Sequence, residues 1–74
     1  MKINVKLVGI FQVDRFKQRD HEYPTGTKVQ EVFDGLKLPR QHYGIVLVNG
    51  GHADIDTVLS AGDHLVLLPL VDGG

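Results

Sequence analysis

The chain contains no cysteine. That excludes disulfide staples, thiolate zinc sites and a thiol nucleophile, so the fold must rest on burial alone. A cysteine-free chain fits a reducing compartment. There is no excess of charge either: eight Lys and Arg stand against nine Asp and Glu, a net charge of −1. Nucleic-acid binding calls for a basic stripe, and none is present. No stretch approaches the ~20 apolar residues of a membrane span. Met1 to Ile10 lack the apolar run of a signal peptide. The expectation is a cytoplasmic protein with no nucleic-acid or membrane partner. Its 74 residues allow one domain. At ordinary per-residue values, the stability is about 4–11 kcal/mol. A chain this small has little room for a catalytic pocket of about 300–1,000 Å³. A carrier, adaptor or interaction module is therefore favoured over an enzyme.

What the chain does have is hydrophobic patterning. Ile3, Val5 and Leu7 alternate with Lys2, Asn4 and Lys6, so Lys2 to Val8 reads as a strand with one face buried. Phe16 to Tyr23 is mostly charged and reads as an edge strand, joined to the first by a hairpin through Ile10 to Asp14. Pro24-Thr25-Gly26 is turn chemistry. Thr27 and Gln30 have the spacing of a capping box. Val29, Val32, Phe33 and Leu36 then form one apolar helical stripe, which predicts a helix over Lys28 to Lys37. Gly44 to Val48 is a short continuous apolar run, which reads as a central strand buried on both faces. Asn49-Gly50-Gly51 is a hairpin signal leading to a short strand at His52 to Asp54. Asp56 to Leu59 is expected to make one helical turn. Ala61-Gly62-Asp63 turns into a last strand, His64 to Leu70. One helix crossing between strands two and three can cover one face of a four- or five-stranded mixed sheet. This α+β pattern is the β-grasp arrangement, with the first and last strands parallel at the centre.

The last ten residues, Leu65 to Gly74, organise the rest. Pro69 has no amide to donate to a ladder, and Leu68 before it is held extended. Pairing is expected to stop near Leu68, which gives a domain over 1–69 and an extended, flexible tail over 70–74. Gly73 and Gly74 have no Cβ and so can thread a narrow channel. A chance Gly pair at the last two positions is expected in roughly one chain in 200. The tail's one reactive group is the Gly74 carboxylate, which becomes an electrophile only when activated, for instance as an acyl-adenylate.

The strand order, the Val48-Asn49-Gly50 turn, the Ala61-Gly62-Asp63 turn and the terminal Leu68-Pro69-Leu70-Val71-Asp72-Gly73-Gly74 together resemble the MoaD/ThiS sulfur carriers, which are ubiquitin-like β-grasp proteins. The resemblance spans the whole chain. It implies that an adenylyltransferase related to ubiquitin-activating enzymes adenylates Gly74. A sulfurtransferase system then makes the thiocarboxylate, and the carrier donates sulfur inside a partner's active site. No cofactor is implied on the carrier itself, and ATP is used by the activating enzyme. The partner is the large subunit of molybdopterin synthase in the MoaD branch, or thiazole synthase of thiamine biosynthesis in the ThiS branch. The proline in Leu-Pro-Leu-Val favours the MoaD branch, and the short length is closer to ThiS. A ubiquitin-like modifier and a non-covalent β-grasp module stay open.

Around Gly73 and Gly74, the candidate partner-binding residues are Leu70, Val71, Asp72, Phe11 and Val13. The four hydrophobic ones contact a partner if they are exposed and complete the core if they are not. His21, His42, His52 and His64 match no zinc spacing and read as solvated histidines. Asp54 and Asp56 read as caps on local amides. Asn49-Gly50-Gly51 lacks the lysine and following helix of a phosphate loop.

Overall fold

The computed structural model describes residues 1–70. It contains β1 (Lys2–Leu7), β2 (Gln18–Glu22), α1 (Val29–Gly35), β3 (Tyr43–Val48), β4 (Gly51–Ala53) and β5 (His64–Pro69). The sheet order is β2-β1-β5-β3-β4. β1 and β5 are parallel at the centre and the other pairs are antiparallel. This is the mixed five-stranded β-grasp sheet that the patterning predicts.

The core lies between one sheet face and α1. Ile3, Val5, Leu7, Val46, Leu65 and Leu67 meet Val29, Val32 and Phe33 of the helical stripe. Phe11, Leu38 and Leu59 close the ends. Phe33 is packed edge-on by Phe11 at 5.7 Å and by Tyr43 at 5.6 Å. That geometry suits the ring quadrupoles and adds to burial.

Several local expectations are corrected. The helix begins one residue later than the Thr27–Gln30 box implies. Lys28 is the N-cap residue, and its amide donates to Glu31 Oε1 at 3.0 Å. Thr27 is buried, and its hydroxyl donates to the Pro24 carbonyl at 2.7 Å. Asp56 to Leu59 forms no helical turn. Its neighbourhood is spent on α1, because the Val29 and Gln30 amides donate to the Thr57 and Ile55 carbonyls. These are the orphan donors of a helix start. Asp54 does cap locally, accepting the Asp56 amide at 2.9 Å. β1 and β2 are joined not by a tight hairpin but by a longer loop holding a 3-10 turn, Gly9–Gln12. Arg15 anchors this loop, donating to the Leu36 and Lys37 carbonyls at 3.1 and 2.9 Å. Those carbonyls belong to the unsatisfied end of α1.

The Asn49-Gly50 hairpin is present. Both residues have positive φ, 52° and 82°, which gives the twist-matched turn of a two-residue loop. Its other role lies across the sheet. Asn49 Nδ2 donates to Asp63 Oδ1 at 2.9 Å, and Asn49 Oδ1 accepts the His64 amide at 2.9 Å. Asp63 also accepts the Ser60 amide. The two turns that flank β5 in space are thus tied to each other.

His21 differs from the other histidines. It faces the helix side of β2 between Phe16 (4.9 Å) and Tyr23 (5.9 Å), and its buried Nε2 has no partner among the described residues. Burial lowers its pKa from 6.5, and Arg19 adds to this while Asp20 opposes it. The folded chain therefore takes up this proton at lower pH than the unfolded chain. The stability that His21 contributes is fully present above pH 6.5 and is lost as pH falls through the folded pKa. Wild type should lose more Tm than His21→Phe between about pH 7.5 and about pH 5. Equal losses in the two proteins would contradict this.

Candidate functional site

A single helix covers a single sheet face, so β3 and β5 cannot be buried on both sides. This overturns the reading of Gly44 to Val48 as doubly buried. Val46 is 2% exposed, whereas its neighbour Ile45 is 46% exposed. Strand alternation and register place Ile45 beside Leu68, and Leu47 beside Val66, on the face away from α1. Val8 follows the same parity at the end of β1. Ile45 is exposed and the other four are half-buried. None of the five belongs to the core or packs against it. They form an apolar patch on the uncovered face toward the C-terminal end of β5. The rest of that face is polar. Asn4 accepts from Gln18 at 2.7 Å and donates to Asp20 at 2.9 Å, and His64 lies 3.3 Å from Asn4 Oδ1.

β5 runs further than the proline implies. Pro69 is inside the strand, paired with Tyr43 across a bulge, and the Leu70 amide donates to the His42 carbonyl at 2.8 Å. Alternation explains the tolerance. The Val8 amide donates to the Leu67 carbonyl, so odd residues of β5 turn their backbone groups toward β1. The donor that Pro69 lacks would point where β1 has already ended. Leu68 and Leu70 keep their amides on the β3 side.

The predicted site residues separate. Leu70 is 60% exposed at the end of β5, which brings it to the uncovered apolar patch. Val13 is also 60% exposed, but it lies in the loop anchored by Arg15, and nothing in the strand register brings it to Leu70. Phe11 is corrected. At 1% exposed and packed on Phe33, it is a core residue that offers a partner no surface. Val71, Asp72, Gly73 and Gly74 lie outside the described residues. The residues missed from sequence are Val8, Ile45, Leu47, Val66 and Leu68. Their signal was available: β3 and β5 are apolar at both parities, and a chain with one helix leaves one of those parities uncovered.

A shallow groove of about 200 Å³ lies elsewhere, lined by Gln30, Phe33, Asp34, Arg40, Tyr43 and Ile55. Arg40 and Asp34 are paired across it at 2.7 Å. Burial, then the Asp54 carboxylate, holds the Tyr43 phenol above its usual pKa, so it stays protonated. Among the described residues no group of three or more His, Asp or Glu is placed to hold a metal. No helix among them is long and apolar enough to cross a membrane.

Comparison with known proteins adds the family. The model of the ThiS family matches residues 4–74. Among solved structures, SAMP1 from Haloferax volcanii is 25% identical over the whole of both chains, with a TM-score of 0.77. A putative molybdopterin converting factor subunit 1 from Pyrococcus furiosus is 23% identical over 96% of this chain and 99% of its own, with a TM-score of 0.78. A chain from the complex of subunits 1 and 2 of the Helicobacter pylori molybdopterin-converting factor is 23% identical over the whole of both chains, at 0.65. The last two likenesses show the fold. No curated protein matches the sequence.

Proposed function

The chain belongs to the ThiS family of ubiquitin-like β-grasp proteins, and from that footing we propose that it is a sulfur carrier working through the carboxylate of Gly74. That carboxylate attacks the α-phosphorus of ATP on an adenylyltransferase, forming an acyl-adenylate and releasing pyrophosphate. Hydrosulfide delivered by a sulfurtransferase system then attacks the acyl carbon. A carbon–sulfur bond forms, the bond to AMP breaks, and the carrier ends in a thiocarboxylate. The carrier supplies the acyl group and the docking surface, and its partners supply ATP binding and catalysis.

One observation carries the proposal. β5 ends at Pro69 and is followed by exposed Leu70, beside an apolar patch that α1 does not cover. A partner that covers the patch receives the last residues at its edge. Covering such a patch removes apolar area from water, worth about 25 cal/mol per Å². The receiving partner is proposed to be the large subunit of a molybdopterin synthase, since the Helicobacter pylori relative is seen with a second subunit. Thiazole synthase is the alternative.

The test is the intact mass of the chain after incubation with ATP, an adenylyltransferase of this family and sulfide. The expected gain equals the replacement of one oxygen by sulfur, and it depends on ATP. An unchanged mass with active partners refutes the proposal. A second reading, conjugation of the same activated carboxylate to a lysine amine, is favoured by the likeness to SAMP1, whose full name is small archaeal modifier protein 1. It would appear as isopeptide-linked adducts of higher mass in cells.

A further inference from the structure

Gly44 occupies the β3 bulge opposite the end of β5. A Cβ there would sit 2.5 Å from the Leu70 nitrogen, 2.6 Å from the Leu68 oxygen and 2.8 Å from the Pro69 carbonyl carbon. All three are backbone atoms, so no rotamer change relieves the contact. The demand is for space and not for an unusual backbone angle, because Gly44 does not have positive φ. Pro69 is closed in from the other side as well. Gly9, at φ 59°, would bring a Cβ to 3.4 Å from Pro69 Cγ. The Leu70 amide is fixed to the His42 carbonyl, two residues before Gly44. The last described residues of β5 are thus held between two glycines and tied by one hydrogen bond.

We propose that Gly44 is a positioning residue: its missing side chain lets β3 close on Leu68 to Leu70, and this fixes where and in which direction the chain leaves the sheet. The inference rests on the carrier reading. A bulge is a common means of re-aiming a strand. Four residues separate Leu70 from the terminal carboxylate, a reach of at most about 14 Å. With so short a reach, a displacement of Leu70 uses up part of the distance available to the reacting group.

The test compares wild type, Gly44→Ala and Gly35→Ala. Gly35 is the control, because a Cβ there meets nothing within 4 Å. In Gly44→Ala, hydrogen exchange at the Leu70 amide should be at least about tenfold faster. Affinity for the adenylyltransferase should fall far less than turnover, because Val8, Ile45, Leu47 and Val66 of the patch are not among the groups that the added Cβ meets. Turnover of thiocarboxylate formation should fall by about 100-fold, the scale of an ångström-sized misplacement. Gly35→Ala should match wild type in all three readouts. Should Gly44→Ala fail to fold, Leu70→Pro and Leu70→Ala are compared: both remove the Leu70 side chain, only the first removes the amide donor to His42, and turnover should fall about 100-fold further in Leu70→Pro than in Leu70→Ala. An unchanged Leu70 exchange rate in Gly44→Ala overturns the clamp. Unchanged turnover with a released Leu70 amide overturns the positioning role, as does a loss confined to affinity. If wild type itself is never activated, the carrier reading fails and takes the positioning role with it, while the exchange data still decide whether Gly44 holds the exit.

Discussion

Deleting Gly74 is expected to leave a folded chain that acquires no sulfur. Among the described residues the twelve core side chains run from Ile3 to Leu67, so the deletion removes none of them. Tm should therefore stay at the wild-type value. The chemistry is affected differently. The new terminal carboxylate, on Gly73, falls short by one residue, about 3.5 Å. Reacting atoms must meet at about 3–3.5 Å, and a misplacement of about 1 Å can cost 100-fold. Thiocarboxylate formation should drop by at least that factor. One alanine added after Gly74 should do the same from the other side, because the carboxylate overshoots and carries a Cβ into a channel that glycines suit. Rates like wild type for both variants would mean that the terminus takes no part in the chemistry. A non-covalent β-grasp module would then be the better description.

The second large effect comes from two adjacent residues with opposite fates. Ile45→Asp places a carboxylate on the uncovered face, where 46% of the side chain is already exposed. The fold should tolerate it, losing no more than the ~1 kcal/mol span of strand preference. Partner binding should not tolerate it. An unpaired carboxylate at the centre of an apolar contact costs several kcal/mol, and about 2.7 kcal/mol is already 100-fold in Kd. Val46→Asp makes the same chemical change one residue along, at 2% exposure among the core side chains. It should unfold the protein, because the desolvation cost is comparable to a stability of about 4–11 kcal/mol. Calorimetry and a binding titration with the adenylyltransferase or the synthase large subunit read both outcomes. If Ile45→Asp binds like wild type, the uncovered face is not the docking surface.

Most of the fold could be read from short-range pattern. Lys2 to Val8 alternates because one face of β1 meets the core, and that period survives in the residue order. The α1 stripe is legible for the same reason. What could not be read depends on partners distant in sequence. Thr27 and Gln30 have the spacing of a capping box, but Lys28 and Glu31 have it too, three residues apart. Only the carbonyls of Ile55 and Thr57, more than twenty residues away, fix the start of the helix. Phe11 sits in an irregular segment with no period to reveal its side, and its burial is decided by Phe33. The exclusion of proline from a ladder, applied to Pro69, holds for strands with two paired edges. The rule misled because β1 ends first, and that is a matter of register. The uncovered patch is the instructive case. A run such as Ile45-Val46-Leu47-Val48 looks the same whether two layers or one cover it, and only the count of helices distinguishes the two. In the sequence Asn49 and Asp63 belong to separate turns, and their mutual hydrogen bond is visible only in three dimensions.

The central claim is that sulfur is carried on the last atom group of the chain, and the sequence makes this directly measurable. No Lys or Arg follows Arg40, so trypsin releases residues 41–74 as one peptide. After reaction with ATP, the adenylyltransferase and sulfide, tandem mass spectrometry of that peptide locates any added sulfur. A carrier of this kind requires the whole mass increment at Gly74, in fragments that contain the C-terminus and in no others. An increment elsewhere in the peptide, or an unmodified peptide after confirmed turnover of ATP to pyrophosphate, would contradict it.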